Sequence, residues 1–178
     1  MDQQEERKVV GSDADSGSSV GETALVVHVP EAEPLVRPWR EREIGVKAHV
    51  TVLVPFLHMT LIDERVRGEL RTLFAGHPAI DVRFRRIERF PEVVYLAPEP
   101  ADPFVRLTEA VVARWPETPP YGGLHDEIVP HLTVGLEGVV DEAVVAAELP
   151  VVSRVTAVSL LVCEDGDQWT QTDLFPLA

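Results

Sequence analysis

Residues 45–56 read GVKAHVTVLVPF, and the centre of that stretch, His49-Val50-Thr51-Val52, returns as His131-Leu132-Thr133-Val134. Each copy is histidine, apolar, threonine, apolar. Successive side chains of a β-strand point to opposite faces. If each copy is a strand, His49 and Thr51 share one face while Val50 and Val52 line the other. His131 and Thr133 stand in the same relation to Leu132 and Val134. Two such strands, each with an apolar back in the core, would bring two imidazoles and two hydroxyls to one cleft, where they could do acid–base chemistry on a phosphate.

The rest of the chain limits what that cleft could serve. With 178 residues and 45% hydrophobic content, there is enough apolar material for one domain with a real core. No apolar run approaches the roughly 20 residues that span a bilayer, and the polar, acidic N-terminus shows no signal-peptide pattern. No membrane association is therefore expected. Cys163 is the single cysteine; one thiol neither staples a chain nor builds a zinc site, and it fits a reducing cytoplasm. The net charge of −14 argues against gripping a long nucleic-acid backbone, where affinity comes largely from Lys and Arg. A small anionic ligand remains compatible with it. Residues 1–21 are polar, Ser/Gly/Asp-rich and aperiodic, and are expected to form a disordered tail. A single two-lobed unit is expected over 22–178.

Hydrophobic spacing and turn chemistry predict the elements that follow. A strand is expected over 23–29, then a short helix or turn over 34–43 broken by Pro38. The first motif strand runs over 48–54 and stops at Pro55. A helix over 63–76 carries Val66, Leu70 and Leu73/Phe74 at three-to-four spacing, with Thr60 as its capping residue. Strands over 80–90 and 93–96 form a hairpin, the first shifting its alternation between Phe84 and Ile87. Asp102 as cap and Pro103 at the first position open a helix through Trp115. Residues 116–130, PETPPYGGLHDEIVP, are a loop that leads into His131 and is expected to border the site. The second motif strand covers 131–136, and a short helix with Ala143, Val144 and Ala147 inside covers 141–148. One long strand over 151–162 and a last strand over 169–175 follow, joined by an Asp165-Gly166 turn. Hairpins without strict βα alternation indicate an α+β fold. The repeated order suggests two pseudo-symmetric halves, antiparallel sheets with flanking helices around a central cleft.

A third string, His58-Met59-Thr60-Leu61, also fits the motif, but it follows Pro55, where the strand has ended. His28 reads as a core or edge histidine, and His77 as a helix-terminal one. His125 lies in the site-bordering loop. Imidazole suits the chemistry because its ordinary pKa of about 6.5 lets it take or give a proton near neutrality. Opening a cyclic phosphodiester needs a base for water and an acid for the departing oxygen, each worth typically 10²–10⁴-fold. Thr51 and Thr133 are placed to donate to the non-bridging oxygens as charge builds. With no HExxH string and no paired Asp cluster, neither a metal nor a cofactor is expected. A base would need an aromatic surface to stack on. Tyr95, Tyr121 and Phe56 are the candidates, with Phe56 reading more as core. Arg37, Arg40 and Lys47 could attract phosphate.

The ordered HxT pair, together with GVKAHVTVLVPF, VVYLAPEP, PPYGG and VPHLTVG, resembles the 2H phosphoesterase superfamily, specifically its 2′-5′ RNA ligase-like, cyclic phosphodiesterase branch. The resemblance covers about residues 23–175. It implies a two-lobed fold and metal-independent hydrolysis of 2′,3′-cyclic phosphates to 2′-phosphates, or the reverse joining of 2′-5′ linkages. It also implies catalytic roles for His49 and His131 and phosphate binding by Thr51 and Thr133. Tyr121, His125 and Tyr95 are further candidate substrate contacts. His131 is provisionally the base and His49 the acid, an order the residues leave open. The expected ligand is a small nucleotide or an RNA-end cyclic phosphate, handled by a monomer. A second reading of the same residues is a nucleotide-binding module without turnover, and a third is an interaction protein with a vestigial cleft.

Overall fold

A computed structural model describes residues 18–41 and 45–178. Most of the expected tail lies outside these residues. Within its last four, the Gly21 amide donates to the Cys163 carbonyl at 2.9 Å, and its own carbonyl accepts from the Met59 amide at 2.9 Å.

Eight strands form two four-stranded antiparallel sheets. Strands β1 (Thr23–His28), β2 (His49–Leu53), β7 (Ala157–Asp165) and β8 (Gln168–Pro176) make one sheet in the order β2-β1-β7-β8. Strands β3 (Ile80–Phe90), β4 (Val93–Glu99), β5 (Leu132–Leu136) and β6 (Val151–Val155) make the other in the order β5-β4-β3-β6. Both motif strands are edge strands, and they adjoin one another. The helices are α1 (Glu33–Val36), α2 (Glu64–Ala75), α3 (Asp102–Arg114) and α4 (Glu142–Ala147).

The helices cross between the lobes in matched fashion. The helix α1 joins β1 to β2 yet packs beside β5 of the other sheet, while α3 joins β4 to β5 yet packs on β2. In turn α2 covers β8 and α4 covers β3. All four helices contribute to one apolar core, with Leu35, Leu70, Phe104 and Val145 packed among Val50, Val52, Leu132 and Val134 from the motif strands. Each such buried side chain contributes roughly 1.5–3 kcal/mol, so the alternation that buries the valines also fixes which way the histidines point.

Local chemistry explains the element ends. The Asp63 carboxylate accepts from the Val66 amide at 2.9 Å and caps α2, whose Val66, Leu70 and Phe74 are buried. Thr60 is therefore not the cap; the nearer acid took the role. Asp102 is the first residue of α3, and no side chain caps that helix. Thr108 instead ties α3 to the site, donating to the Val52 carbonyl at 2.7 Å. The helix or turn expected over 34–43 begins earlier, in a 3-10 turn over Pro30–Ala32 that leads into α1, and ends in a second over Arg37–Trp39; residues 42–44 of that expected span lie outside the described residues. The alternation shift in β3 is a bulge between Phe84 and Arg86. In α4 the buried residue is Val145, whereas Ala143, Val144 and Ala147 are exposed.

The largest correction concerns the strand expected over 151–162. The chain passes from one sheet to the other at Thr156: β6 pairs with β3, and β7 with β1. Alternation continues through VVSRVTAVSLLV without glycine or proline, so only the pairing partners mark the break.

Candidate active site

The backs of the motif strands are sealed: Val50 is 0% exposed, Val52 3%, Leu132 0% and Val134 1%. His49, Thr51 and His131 are half-buried on the other side, and Thr133 is exposed. Thr51 lies opposite Val26 of β1, and Thr133 opposite Tyr95 of β4.

Both imidazoles are held in the same way. His49 Nδ1 lies 2.9 Å from the Lys47 carbonyl, and His131 Nδ1 lies 2.7 Å from the Val129 carbonyl, two residues back in each case. A carbonyl only accepts, so each Nδ1 carries hydrogen and donates. That leaves Nε2 as the nitrogen whose protonation can change: a base when neutral, an acid when charged. Two different loops thus deliver the same tautomer to two matched strands.

The entrance to β2 is pinned by Glu33. Its carboxylate accepts from both terminal nitrogens of Arg40, at 2.7 and 2.9 Å, and from the Ala48 amide at 2.6 Å. The hydrogen bonds from Arg40 hold the Glu33 carboxyl below the ordinary carboxylate range. Of the cations considered for phosphate attraction, Arg40 is thereby engaged with Glu33, while Arg37 and Lys47 are exposed.

The walls beside the two histidines differ. Next to His49, across the strand pair, sits His28. Its Nδ1 lies 3.2 Å from Ser159 Oγ. Burial pushes its pKa down, His49 and Lys47 push it further, and Glu33 opposes them. Its sequence reading as a core or edge residue missed this, because only the register of β1 on β2 places it there. Next to His131, Tyr95 and Phe90 stack with centroids 4.3 Å apart at 23°, and both present T-shaped contacts to the imidazole at 5.6 and 5.0 Å. Burial raises the Tyr95 hydroxyl pKa; Glu88 adds to this and Arg86 opposes it. Phe90 was missed too, since its place beside His131 depends on the pairing of β3 with β4 and of β4 with β5.

The remaining candidates separate. Phe56 is buried edge-on against Trp115 at 5.2 Å and belongs to the core. Tyr121 and His125 contact each other at 5.6 Å in the loop before β5, which contains a 3-10 turn over Pro120–Gly123. The Tyr121 amide donates to the Val54 carbonyl at 2.7 Å, tying that loop to the end of β2. His58 is used structurally. Its ring caps the Met59–Leu61 turn, meets Thr60 Oγ1 at 2.9 Å and lies 3.3 Å from the Val20 carbonyl.

Among the described residues no three of His, Cys, Asp and Glu gather as a metal-holding set, and no helix is long and apolar enough to cross a membrane. A depression of about 650 Å³ is lined by residues including Arg83, Arg85, Glu99 and Arg154 and contains none of the motif residues.

The fold and sequence both have known counterparts. The crystal structure of E. coli LigT complexed with 3′-AMP superposes with a TM-score of 0.61 over 90% of this chain and 99% of that one, at 14% identity. A structure described as a phosphoesterase gives 0.59 over 89% and 99%, at 15% identity. TT0787 of Thermus thermophilus gives 0.53 over 88% and 97%, at 20% identity. At such identities the likeness establishes the fold. A comparison with curated proteins finds no match. The sequence profile of the 2′-5′ RNA ligase superfamily matches residues 30–167, most of the chain. The chain belongs to the 2′-5′ RNA ligase superfamily, the 2H phosphoesterases.

Proposed function

We propose that this protein is a metal-independent phosphoesterase that opens 2′,3′-cyclic nucleotide phosphates to 2′-phosphates at the site formed by His49, Thr51, His131 and Thr133. The observation that carries the reading is the matched clamping of both imidazoles: each Nδ1–H is committed to a backbone carbonyl, on two edge strands that adjoin. One Nε2 takes the proton of an attacking water. The other gives a proton to the ribose oxygen as its bond to phosphorus breaks. The Thr51 and Thr133 hydroxyls donate to the non-bridging oxygens, where charge accumulates. With a ribose 5′-hydroxyl in place of the attacking water, the same groups would open the cyclic phosphate, releasing O3′ and leaving a 2′-5′ linkage, the joining direction.

A small nucleotide or a short RNA end is the proposed substrate, in keeping with the −14 charge. The LigT crystals that hold 3′-AMP, NADP+ and ATP support a small ligand. Tyr121 and His125 are proposed as contacts from the loop. We read residues 22–178 as the working unit, a cytoplasmic monomer. Phosphorus NMR of a reaction with 2′,3′-cyclic AMP tests the proposal. A growing 2′-phosphate resonance is expected, and an unchanged cyclic substrate or an exclusively 3′-phosphate product would overturn it.

A further inference from the structure

We infer that His28 and His49 form a two-imidazole chelate for a borderline divalent cation, Zn²⁺ or Cu²⁺, and that a cation held there blocks the phosphate site. The chelate stands on the strand register; its inhibitory effect rests on the proposed phosphoesterase reading.

The register brings the two rings together. His28 of β1 lies opposite His49 of β2. The Val29 amide donates to the Ala48 carbonyl at 2.8 Å, so the pair one step along, His28 and His49, is a non-hydrogen-bonded pair. Such pairs bring their Cα atoms to about 4.5 Å and their side chains closest together. The next pair, Val27 and Val50, is buried in the core. Alternation therefore puts both imidazoles on the outer face of the sheet, where both are half-buried.

Each ring is also fixed at its other nitrogen. His49 Nδ1 donates to the Lys47 carbonyl at 2.9 Å, and His28 Nδ1 lies 3.2 Å from Ser159 Oγ. Metal-ligating histidines almost always carry such an outer partner, which sets the tautomer and aims the remaining nitrogen. Ser159 Oγ accepts from Nδ1–H of His28, leaving Nε2 as its lone pair, the tautomer His49 also has. The other site-side histidines are placed differently: His131 meets Phe90 and Tyr95, His125 meets Tyr121, and His58 is engaged with Thr60 and Val20.

Two imidazoles at about 2.0–2.1 Å make half of a tetrahedral zinc site. Water or a phosphate oxygen fills the rest, since among the described residues no set of three His, Cys, Asp or Glu gathers. The ligand type selects the cation: imidazole suits Zn²⁺ and Cu²⁺, whereas Mg²⁺ prefers oxygen. Lys47 opposes positive charge beside His28 and Glu33 favours it, so coordination rather than field attraction supplies the affinity. The bound cation occupies the Nε2 lone pair through which His49 moves a proton. It is an inhibitor of the proposed hydrolysis, not a cofactor.

Competition against a chromophoric zinc indicator at neutral pH tests the chelate whether or not turnover occurs. The wild type should bind one tight Zn²⁺ per chain in the presence of excess Mg²⁺. His28→Gln and His49→Gln should each lose it, by more than the roughly 10–100-fold that loss of an outer partner costs, and Ser159→Ala should weaken it within that range. His131→Gln should bind as the wild type does. Electron paramagnetic resonance of the wild type with one equivalent of Cu²⁺ should show two ligating imidazole nitrogens. Unchanged zinc affinity in His28→Gln, equal loss in His131→Gln, or a copper spectrum without paired imidazoles overturns the chelate. Zinc should also slow hydrolysis of 2′,3′-cyclic AMP by the wild type, reversibly with EDTA, and not by His28→Gln; equal inhibition of both overturns the inhibitory role. If the wild type opens no cyclic phosphate, the proposed function and the inhibition fall together, while the zinc titration still judges the chelate.

Discussion

Replacing Glu33 by alanine should lower both stability and turnover. Its carboxylate accepts from the Ala48 amide at 2.6 Å and from the Arg40 fork at 2.7 and 2.9 Å, with the Glu33 and Arg40 side chains 17% and 23% exposed. Ala48 is 1% exposed, so alanine at 33 leaves a buried N–H without its acceptor, a loss of roughly 1–3 kcal/mol. The ion pair adds up to about 1 kcal/mol, discounted for its partial exposure. A total of about 1–4 kcal/mol corresponds to a fall in Tm of roughly 2–16 °C for a chain of this size. Glu33→Gln keeps an oxygen for the Ala48 amide and should recover about half of that loss. The sign with pH follows from the depressed carboxyl. Its contribution is fully present above the unfolded value near 4.5 and is lost as the pH falls through the lower native value. The difference between wild type and Glu33→Gln should therefore shrink on acidification below about 4.5. Because Ala48 directly precedes His49, turnover measured well below the melting temperature should also drop. Thermal melts read by circular dichroism, paired with initial rates on 2′,3′-cyclic AMP, check this. A Glu33→Ala protein melting within about 1 °C of wild type would refute the claim that this carboxylate holds the entrance to β2.

Three further outcomes follow from other contacts. His28 is held below the ordinary histidine value of 6.5, chiefly by burial. The unfolded chain therefore binds that proton more readily, and stability should rise with pH through the window just below 6.5; His28→Gln should flatten that slope in melts run across it. At Gly135 a Cβ would sit 2.8 Å from Val140 Cγ2 and 3.0 Å from Trp39 Cβ, so Gly135→Ala should cost about 1–3 kcal/mol by overpacking; an unchanged denaturation midpoint would show that Trp39 moves aside without cost. Hydrolysis should persist in excess EDTA, since the proposed proton transfers use only imidazoles; loss of rate restored by a divalent cation would contradict the proposed mechanism.

Much of this architecture is legible before any coordinates, because it depends on local spacing. The 3.6-residue spacing of Val66, Leu70 and Phe74 marks α2, and the two-residue alternation around His49 and His131 marks the strands and their buried backs. The shift in β3 is readable as well, since Val82 and Phe84 fall out of step with Ile87. What escapes is decided by partners distant in sequence. Nothing in VVSRVTAVSLLV says that its halves belong to different sheets. His28 gains its place beside His49 only through the register of β1 on β2, and Phe90 meets His131 only through β4 and β5. Thr60 was the expected cap of α2, but Asp63, the residue directly before the helix, takes that place. The decoy at His58 was separable by its position after Pro55, although its use as a cap for a 3-10 turn was not.

The most direct test of the central claim is the rate of 2′,3′-cyclic AMP hydrolysis by His49→Ala, His131→Ala, the double variant and His58→Ala under one set of conditions. Each motif variant should lose at least about 10²-fold, because each removes a proton-transfer group. The double should be little worse than the worse single, since both groups act on one transition state. His58→Ala should stay near the wild-type rate, since that ring is engaged with Thr60 and Val20. Loss of turnover in His58→Ala with retention in His49→Ala would contradict the assignment of the site to β2 and β5.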